Sequence, residues 1–444
     1  MKDWLQRDNR TVWHPYTPEP HVGPKALLTK AKGAYVYDVD GNKRYDGTAS
    51  WWCNIHGHCN ERMGKALYEQ SQKLDQVLFS PHSHPVAIEL AEAIGEKLPE
   101  GMNRVFFSDD GSTAVEAALK LCVQYWVNQG VRGRNRILSL EHAYHGDTLG
   151  AVSASHVDQF HHYFEGMLPK GYRIPVPYAY RRPKELGEAE YIEKCKQAAS
   201  KIIESHKDSI AGLIVEPLIL GAGGMIIYPA DYLEHVVREC RRHGILVVFD
   251  EVFTGFGRTG SFFAWEKLSE RPDVICLSKG LTGGMLPLGL TVAADWIYDA
   301  FRGGPEKTFY NGHTFTANGL SCAVALESLK LFEENQWILK NQKLIEVMAS
   351  QSERFADLPH VGDVRQIGMI WVTEVVKEKS SREVYQPANG PGWKIATELW
   401  DRGVWIRPLN QLIYLVPPYC TTAEELTGVL DQMYDVMKEE RFYR

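Results

Sequence analysis

The chain reads as an α/β protein, with a mostly parallel sheet covered by helices on both faces and a smaller α+β region drawn from both termini. Three observations carry that reading. The runs "RILSL", "AGLIVE", "ILVVFD", "DVICLS" and "LGLTVAA" are apolar at nearly every position, as strands buried on both faces must be. The helical stretch "DYLEHVVRECRRHG" lies between two of them, where a parallel pair needs its crossover. Near the N-terminus, "AYVYDVDGNKRYDG" alternates apolar and polar residues around Asp40-Gly41, which predicts a hairpin.

The remaining elements follow in order. "HPVAIELAEAIGEKL" has helical spacing, "RVFFS" is strand-like, and "TAVEAALKLCVQYWVNQG" is a long helix closed by Gly130. The five buried strands come next. After about residue 318, two helical patterns precede "HVGDVRQIGMIWVTEVV" and a helix around "GWKIATELWDRG". A strand pair, "VWIRP" and "LIYLV", leads to a last helix from Ala423 to Lys438. The organisation expected is an N-terminal segment 1–60 joining the small domain, a large domain 61–318, and a C-terminal small domain 319–444.

Composition narrows the function. Charged residues make up 24% and the net charge is -7, with no dense basic run, which argues against nucleic acid. No stretch approaches the roughly 18 apolar residues of a membrane span. "MKDWLQRDNR" lacks the apolar core of a secretory signal. The eight cysteines are scattered, as expected of reduced thiols in a cytoplasmic protein. "WWCNIHGHCN" sets Cys53, His56, His58 and Cys59 close together, all ligand types that zinc accepts. Structural zinc sites pair such a cluster with a second one, and no other cysteine supplies it. No metal is expected.

Open sheets bind ligands beyond the carboxyl ends of their strands. There "ILVVFD" ends at Asp250, and "DVICLS" is followed by Lys279 and "GLTGG". Read singly, Lys279 is a loop lysine facing water and Asp250 a helix cap or salt-bridge partner. Together they suit pyridoxal phosphate: a desolvated lysine forms the Schiff base, and an aspartate keeps the pyridinium protonated. "SDDGSTAVEAALK" places Gly111, Ser112 and Thr113 at a helix start, which binds an anion or is an ordinary N-cap. "AYHGDT" supplies Tyr144 and His145 beside a strand end, aromatic partners for a ring.

The set "SDDGSTAVEAALK", "YHGDT", "VEP", "FDEVFTGFGRTG", "LSKGLTGG" and "HTFTANGLSCAVAL" resembles the class III aminotransferases, fold-type I pyridoxal-phosphate enzymes. That resemblance implies a seven-stranded sheet in the large domain and a homodimer with shared active sites. It makes Lys279 the Schiff-base lysine and proton shuttle, Asp250 the pyridinium partner and Tyr144 the stacking ring. Gly111 and Ser112 hold the phosphate, and Thr314 reaches the neighbouring subunit's cofactor. Glu216, Asp147 and Arg258 organise the site. The segments "VWHPYT", "SWWCNIHGH" and "WIRPLNQLIYLVPPY" resemble members that aminate 8-amino-7-oxononanoate for biotin, with S-adenosylmethionine or lysine as donor. They imply a substrate pocket of Tyr16, Trp51, Trp52 and Arg407, the arginine clamping a carboxylate. Leu220 stands where many relatives carry glutamine, and His313 where some carry proline or serine. The rival readings are an ω-amino acid, ornithine or 4-aminobutyrate aminotransferase, a related isomerase, and a non-enzymatic binding module.

Overall fold

A computed structural model describes residues 2–18, 20–386 and 390–444. The chain divides into two compact units, Arg62–Glu334 and a second built from Met1–Glu61 with Asn335–Arg444.

The larger unit is organised by a seven-stranded sheet. Its strands are β1 (Met102–Ser108), β2 (Arg136–Leu140), β3 (Tyr172–Ile174), β4 (Ile210–Val215), β5 (Leu246–Asp250), β6 (Val274–Leu277) and β7 (Gly289–Ala294). Their order across the sheet is β1-β7-β6-β5-β4-β2-β3. Every pairing from β6 to β3 is parallel. Only β7 is reversed, antiparallel to both β6 and β1. The short edge strand β3 escapes a reading by periodicity, since three residues hold too little pattern.

Helix α1 (Gly111–Asn128) packs on this sheet. It presents Ala114, Ala118, Leu121 and Cys122 to Ile214, Leu246, Val248, Val274 and Cys276, all buried. The small side chains let helix and sheet approach closely, so α1 begins directly over the strand ends. Helices α2 (Glu188–His206) and α3 (Ala230–Arg242) are the crossovers before β4 and β5. Along α3, Leu233, Val236, Val237 and Cys240 form one buried stripe.

In the terminal unit the predicted hairpin forms, Tyr35–Asp38 pairing antiparallel with Lys43–Asp46. The second of these strands also pairs in parallel with Val404–Trp405. Leu412–Leu415 instead joins a three-stranded sheet with Val361–Ile367 and Ile370–Val375. "VWIRP" and "LIYLV" are therefore not partners, apart from a bridge at Leu409 and Leu412. The chain turns between them through Asn410 at φ 52° and enters a different sheet. Arg407 lies in that passage. Among the described residues, no helix is long and apolar enough to cross a membrane.

Candidate active site

The ends of β5 and β6 and the start of α1 converge in the larger unit. Asp250 and Cys276 are register partners, so Asp250 and Lys279 leave neighbouring parallel strands on the same edge. A Cβ added to Gly111 would fall 2.7 Å from Val252 Cγ1 and 3.4 Å from Ser278 Cβ. The α1 start thus touches both loops, and only glycine fits. The first amides of a helix have no acceptor within it, so those of Gly111 and Ser112 can serve an anion. Asp110 caps the helix by accepting from Thr113 N at 2.8 Å, leaving those two amides uncapped by its side chain. Ser112 Oγ accepts from Thr148 N at 3.0 Å, which ties the cradle to the loop after Tyr144.

Asp250 is buried, and His145 Nδ1 lies 2.7 Å from its Oδ2 while Val252 N donates to Oδ1 at 3.1 Å. An imidazole and an amide thus hold the carboxylate in one orientation. Lys279 lies at φ 43°, in the left-handed region that side chains other than glycine avoid. The preceding Ser278 pins the loop by donating to Leu288 O at 2.7 Å. A strained residue fixed by its surroundings is typical of functional positions. Lys279 Nζ lies 5.9 Å from the centre of the Phe253 ring.

Tyr144 donates its hydroxyl to Asp147 Oδ2 at 3.0 Å, and its backbone amide to Glu216 Oε1, also at 3.0 Å. The imidazole of His161 stacks on its ring, 6.0 Å away and 11° from parallel. Glu216 also accepts from Gly221 N at 2.8 Å, and burial pushes its carboxyl up to about 7. Arg258 is buried in the loop after β5, and Leu220 is buried beside Glu216. Thr314 is exposed on a turn, its carbonyl accepting from Gln76 Nε2 at 2.9 Å. His313 Nδ1 lies 3.4 Å from Asp109 Oδ2.

In the terminal unit, Tyr16, Trp51 and Arg407 form one cluster. The rings of Tyr16 and Trp51 meet edge-on at 5.7 Å. The Arg407 guanidinium lies 5.2 Å from the Trp51 ring and 5.6 Å from that of Trp393, donating to Tyr16 O at 3.1 Å. Burial lowers its pKa, although an arginine stays charged at neutral pH. Trp52 turns the other way, donating its indole N–H to Tyr414 OH at 3.3 Å. His56 Nδ1 accepts from Trp337 Nε1 at 3.1 Å, and His58 Nε2 lies 2.9 Å from Asp46 Oδ2. Both histidines are therefore engaged within the fold, and among the described residues no group of three or more ligating side chains could hold a metal.

Sequence reasoning gave one participant a different part and passed over another. It offered His145 as an aromatic partner for the ring, not as the partner of Asp250, which lies 105 residues away. Asp46 sits at the end of an ordinary hairpin, and nothing in its spacing marks it.

The arrangement in the larger unit suits one kind of ligand. It offers helix amides for a phosphate, a fixed buried carboxylate for a protonated ring nitrogen, an aromatic ring for stacking and an amine for an aldehyde. Residues 16–437 match the aminotransferase class-III family. The chain is 40% identical to the adenosylmethionine-8-amino-7-oxononanoate aminotransferase of Geobacter sulfurreducens, over 97% of this chain and 96% of that one. It is 36% identical to the protein of the same name from Methanocaldococcus jannaschii, whose crystal structure superposes with a TM-score of 0.92 over 99% of both chains. An amine transaminase from an uncultivated Pseudomonas species, solved with pyridoxal phosphate bound, is 32% identical with a TM-score of 0.90, covering 96% of this chain and 98% of that one.

Proposed function

Because the chain belongs to the class-III aminotransferases, we propose that it uses pyridoxal phosphate to transfer an amino group to 8-amino-7-oxononanoate, giving 7,8-diaminononanoate for biotin synthesis. Near-full-length similarity to relatives named for that reaction carries the reading, together with an arginine held between two indoles. The amino donor in the same reading is S-adenosylmethionine, the compound that those relatives' names pair with the amino-keto acid. Thr314, exposed on its turn, serves the neighbouring subunit's cofactor in a homodimer.

When bound, the cofactor supplies an electron sink for the bond broken at the donor carbon. Asp250 keeps the sink effective by holding a proton on the ring nitrogen, and His145 fixes the carboxylate that does so. Gly111 and Ser112 anchor the phosphate through their amides, and Tyr144 covers the ring. Lys279 Nζ removes a proton from the donor carbon and returns it to the opposite end of the transfer, then repeats this in reverse for the acceptor. Arg407 binds the carboxylate of the long keto acid, far from the carbon that reacts. The aromatic side chains of Tyr16 and Trp51 contact its aliphatic chain, Trp52 backs that wall from the core through Tyr414, and Asp147 and Arg258 order the substrate side of the site.

A panel of donors and acceptors tests the assignment. Purified protein should aminate 8-amino-7-oxononanoate from S-adenosylmethionine in preference to lysine, alanine or glutamate. Turnover with pyruvate or 2-oxoglutarate but not with the amino-keto acid would overturn it. Preference for lysine would overturn the donor alone.

A further inference from the structure

Three residues in the four-residue stretch from Ala49 to Trp52 have left-handed backbone angles. Ala49 has φ 46°, Ser50 φ 62° and Trp52 φ 66°, and none is glycine. Such a turn persists only when other groups impose it. The groups that impose this one converge on a single carboxylate. Asp46, whose side chain is fully buried, accepts from Ser50 N at 2.6 Å and from Thr48 N at 3.2 Å. The hydroxyls of Thr48 and Ser50 point at the same carboxylate, at 3.3 and 3.4 Å. His58, at the far end of the loop, closes on it with Nε2 2.9 Å from Oδ2.

The backbone around the turn is anchored separately. Gly47 N donates to Trp405 O at 2.9 Å, and His58 and Gly33 exchange two backbone bonds. Asp46 is therefore free to set the turn's inner geometry without carrying the strands that flank it. Its output is the direction of Trp51, whose ring meets Tyr16 and lies beside the Arg407 guanidinium. A buried carboxylate without its donors is costly, so carboxylate, turn and imidazole hold together as one unit.

We propose that Asp46, seated on His58, is a positioning residue for the keto-acid acceptor: it aims the Trp51–Trp52 turn and through it places Arg407. The proposal rests on the assignment of Arg407 to the acceptor's carboxylate. It touches the acceptor half-reaction and leaves the donor half-reaction alone.

The test uses the full-length, cofactor-loaded enzyme and variants Asp46→Asn, His58→Leu and His58→Gln, with Arg407→Ala as the control. Stopped-flow rates of the two half-reactions are measured separately, and acceptor affinity by calorimetry. Asp46→Asn should raise the apparent KM for 8-amino-7-oxononanoate about 5- to 20-fold, with maximal rate and donor half-reaction within about twofold. His58→Leu should move in the same direction, and His58→Gln, which keeps an N–H donor, should recover most of the loss. Equal loss in both half-reactions, or no change in acceptor affinity, overturns the proposal. Should Asp46→Asn fail to fold, His58→Leu decides by the same measurements, because it leaves the Ser50 and Thr48 contacts in place. If Arg407→Ala itself spares the acceptor, the assignment of the clamp is wrong. If Arg407→Ala weakens the acceptor while Asp46→Asn and His58→Leu do not, only the positioning role is lost.

Discussion

At the residue scale, Lys279 combines a strained backbone with a position at the mouth of the sheet. Borohydride reduction of the holoenzyme should place the pyridoxyl label on Lys279, read by peptide mapping. Lys279→Ala should lose more than about a hundredfold in either half-reaction, since general acid–base transfer alone is worth that much. A label on another lysine would remove Lys279 from its role. Arg407 carries a different prediction, because it lies beside indoles that strip its water. Arg407→Ala should cost about 2–4 kcal/mol in acceptor kcat/KM, roughly 30- to 1,000-fold, while sparing the half-reaction with S-adenosylmethionine. Equal losses in both would make Arg407 structural or common to both substrates. Lys279, Asp250 and Gly111 were legible in the sequence because each stands at a strand end or helix start, which periodicity locates. The partners that orient them were not. His145 reaches Asp250, and Glu216 reaches the Tyr144 amide, only through the folding of segments far apart in the chain.

At the element scale, the loop after β5 is clasped by Glu251, next to Asp250. Its buried carboxylate accepts from Ala264 N at 2.9 Å, Trp265 N at 2.8 Å and Thr254 Oγ1 at 2.7 Å, closing the loop that carries Arg258. Burial pushes this carboxyl from the ordinary 4.5 up to about 7. Between about 4.5 and 7 the folded chain therefore keeps a proton that the unfolded chain has released. The contribution of Glu251 to stability falls as pH rises through that window, and its loss is complete above about 7. Glu251→Gln has no such proton. Its unfolding free energy, read from urea titrations, should decline less steeply across the window than that of the unaltered protein, by a difference on the order of 1–3 kcal/mol. Parallel pH profiles for the two proteins would leave Glu251 without this role. The directions of the strands mark another limit of sequence reading. The run "LGLTVAA" has the continuous apolarity of its parallel neighbours, yet β7 runs against them. Burial on both faces fixes composition, and chain direction leaves no trace in it.

At the scale of the whole molecule, the proposed dimer makes a test by mixing possible. Lys279→Ala disables a site from within, whereas Thr314→Ala disables the site of the neighbouring subunit. In a hybrid of the two, one site collects both defects and the other collects neither. Unfolding and refolding equal amounts together should recover about a quarter of wild-type activity, because half the dimers are hybrids and half their sites are intact. Recovery no greater than the sum of the two parents would place Thr314 with its own subunit's cofactor or with none. The pairing of Lys43–Asp46 with Val404–Trp405 has a consequence of another kind, in time. A ribosome delivers the first of these strands long before the second. At 5–20 residues per second, the N-terminal strand waits roughly 20 to 70 s for its neighbour. Throughout that wait one edge of the hairpin has unpaired amides and carbonyls, open to any other strand that meets it. The chaperone demand of this protein during synthesis should therefore fall on this hairpin, made long before the strand that completes it.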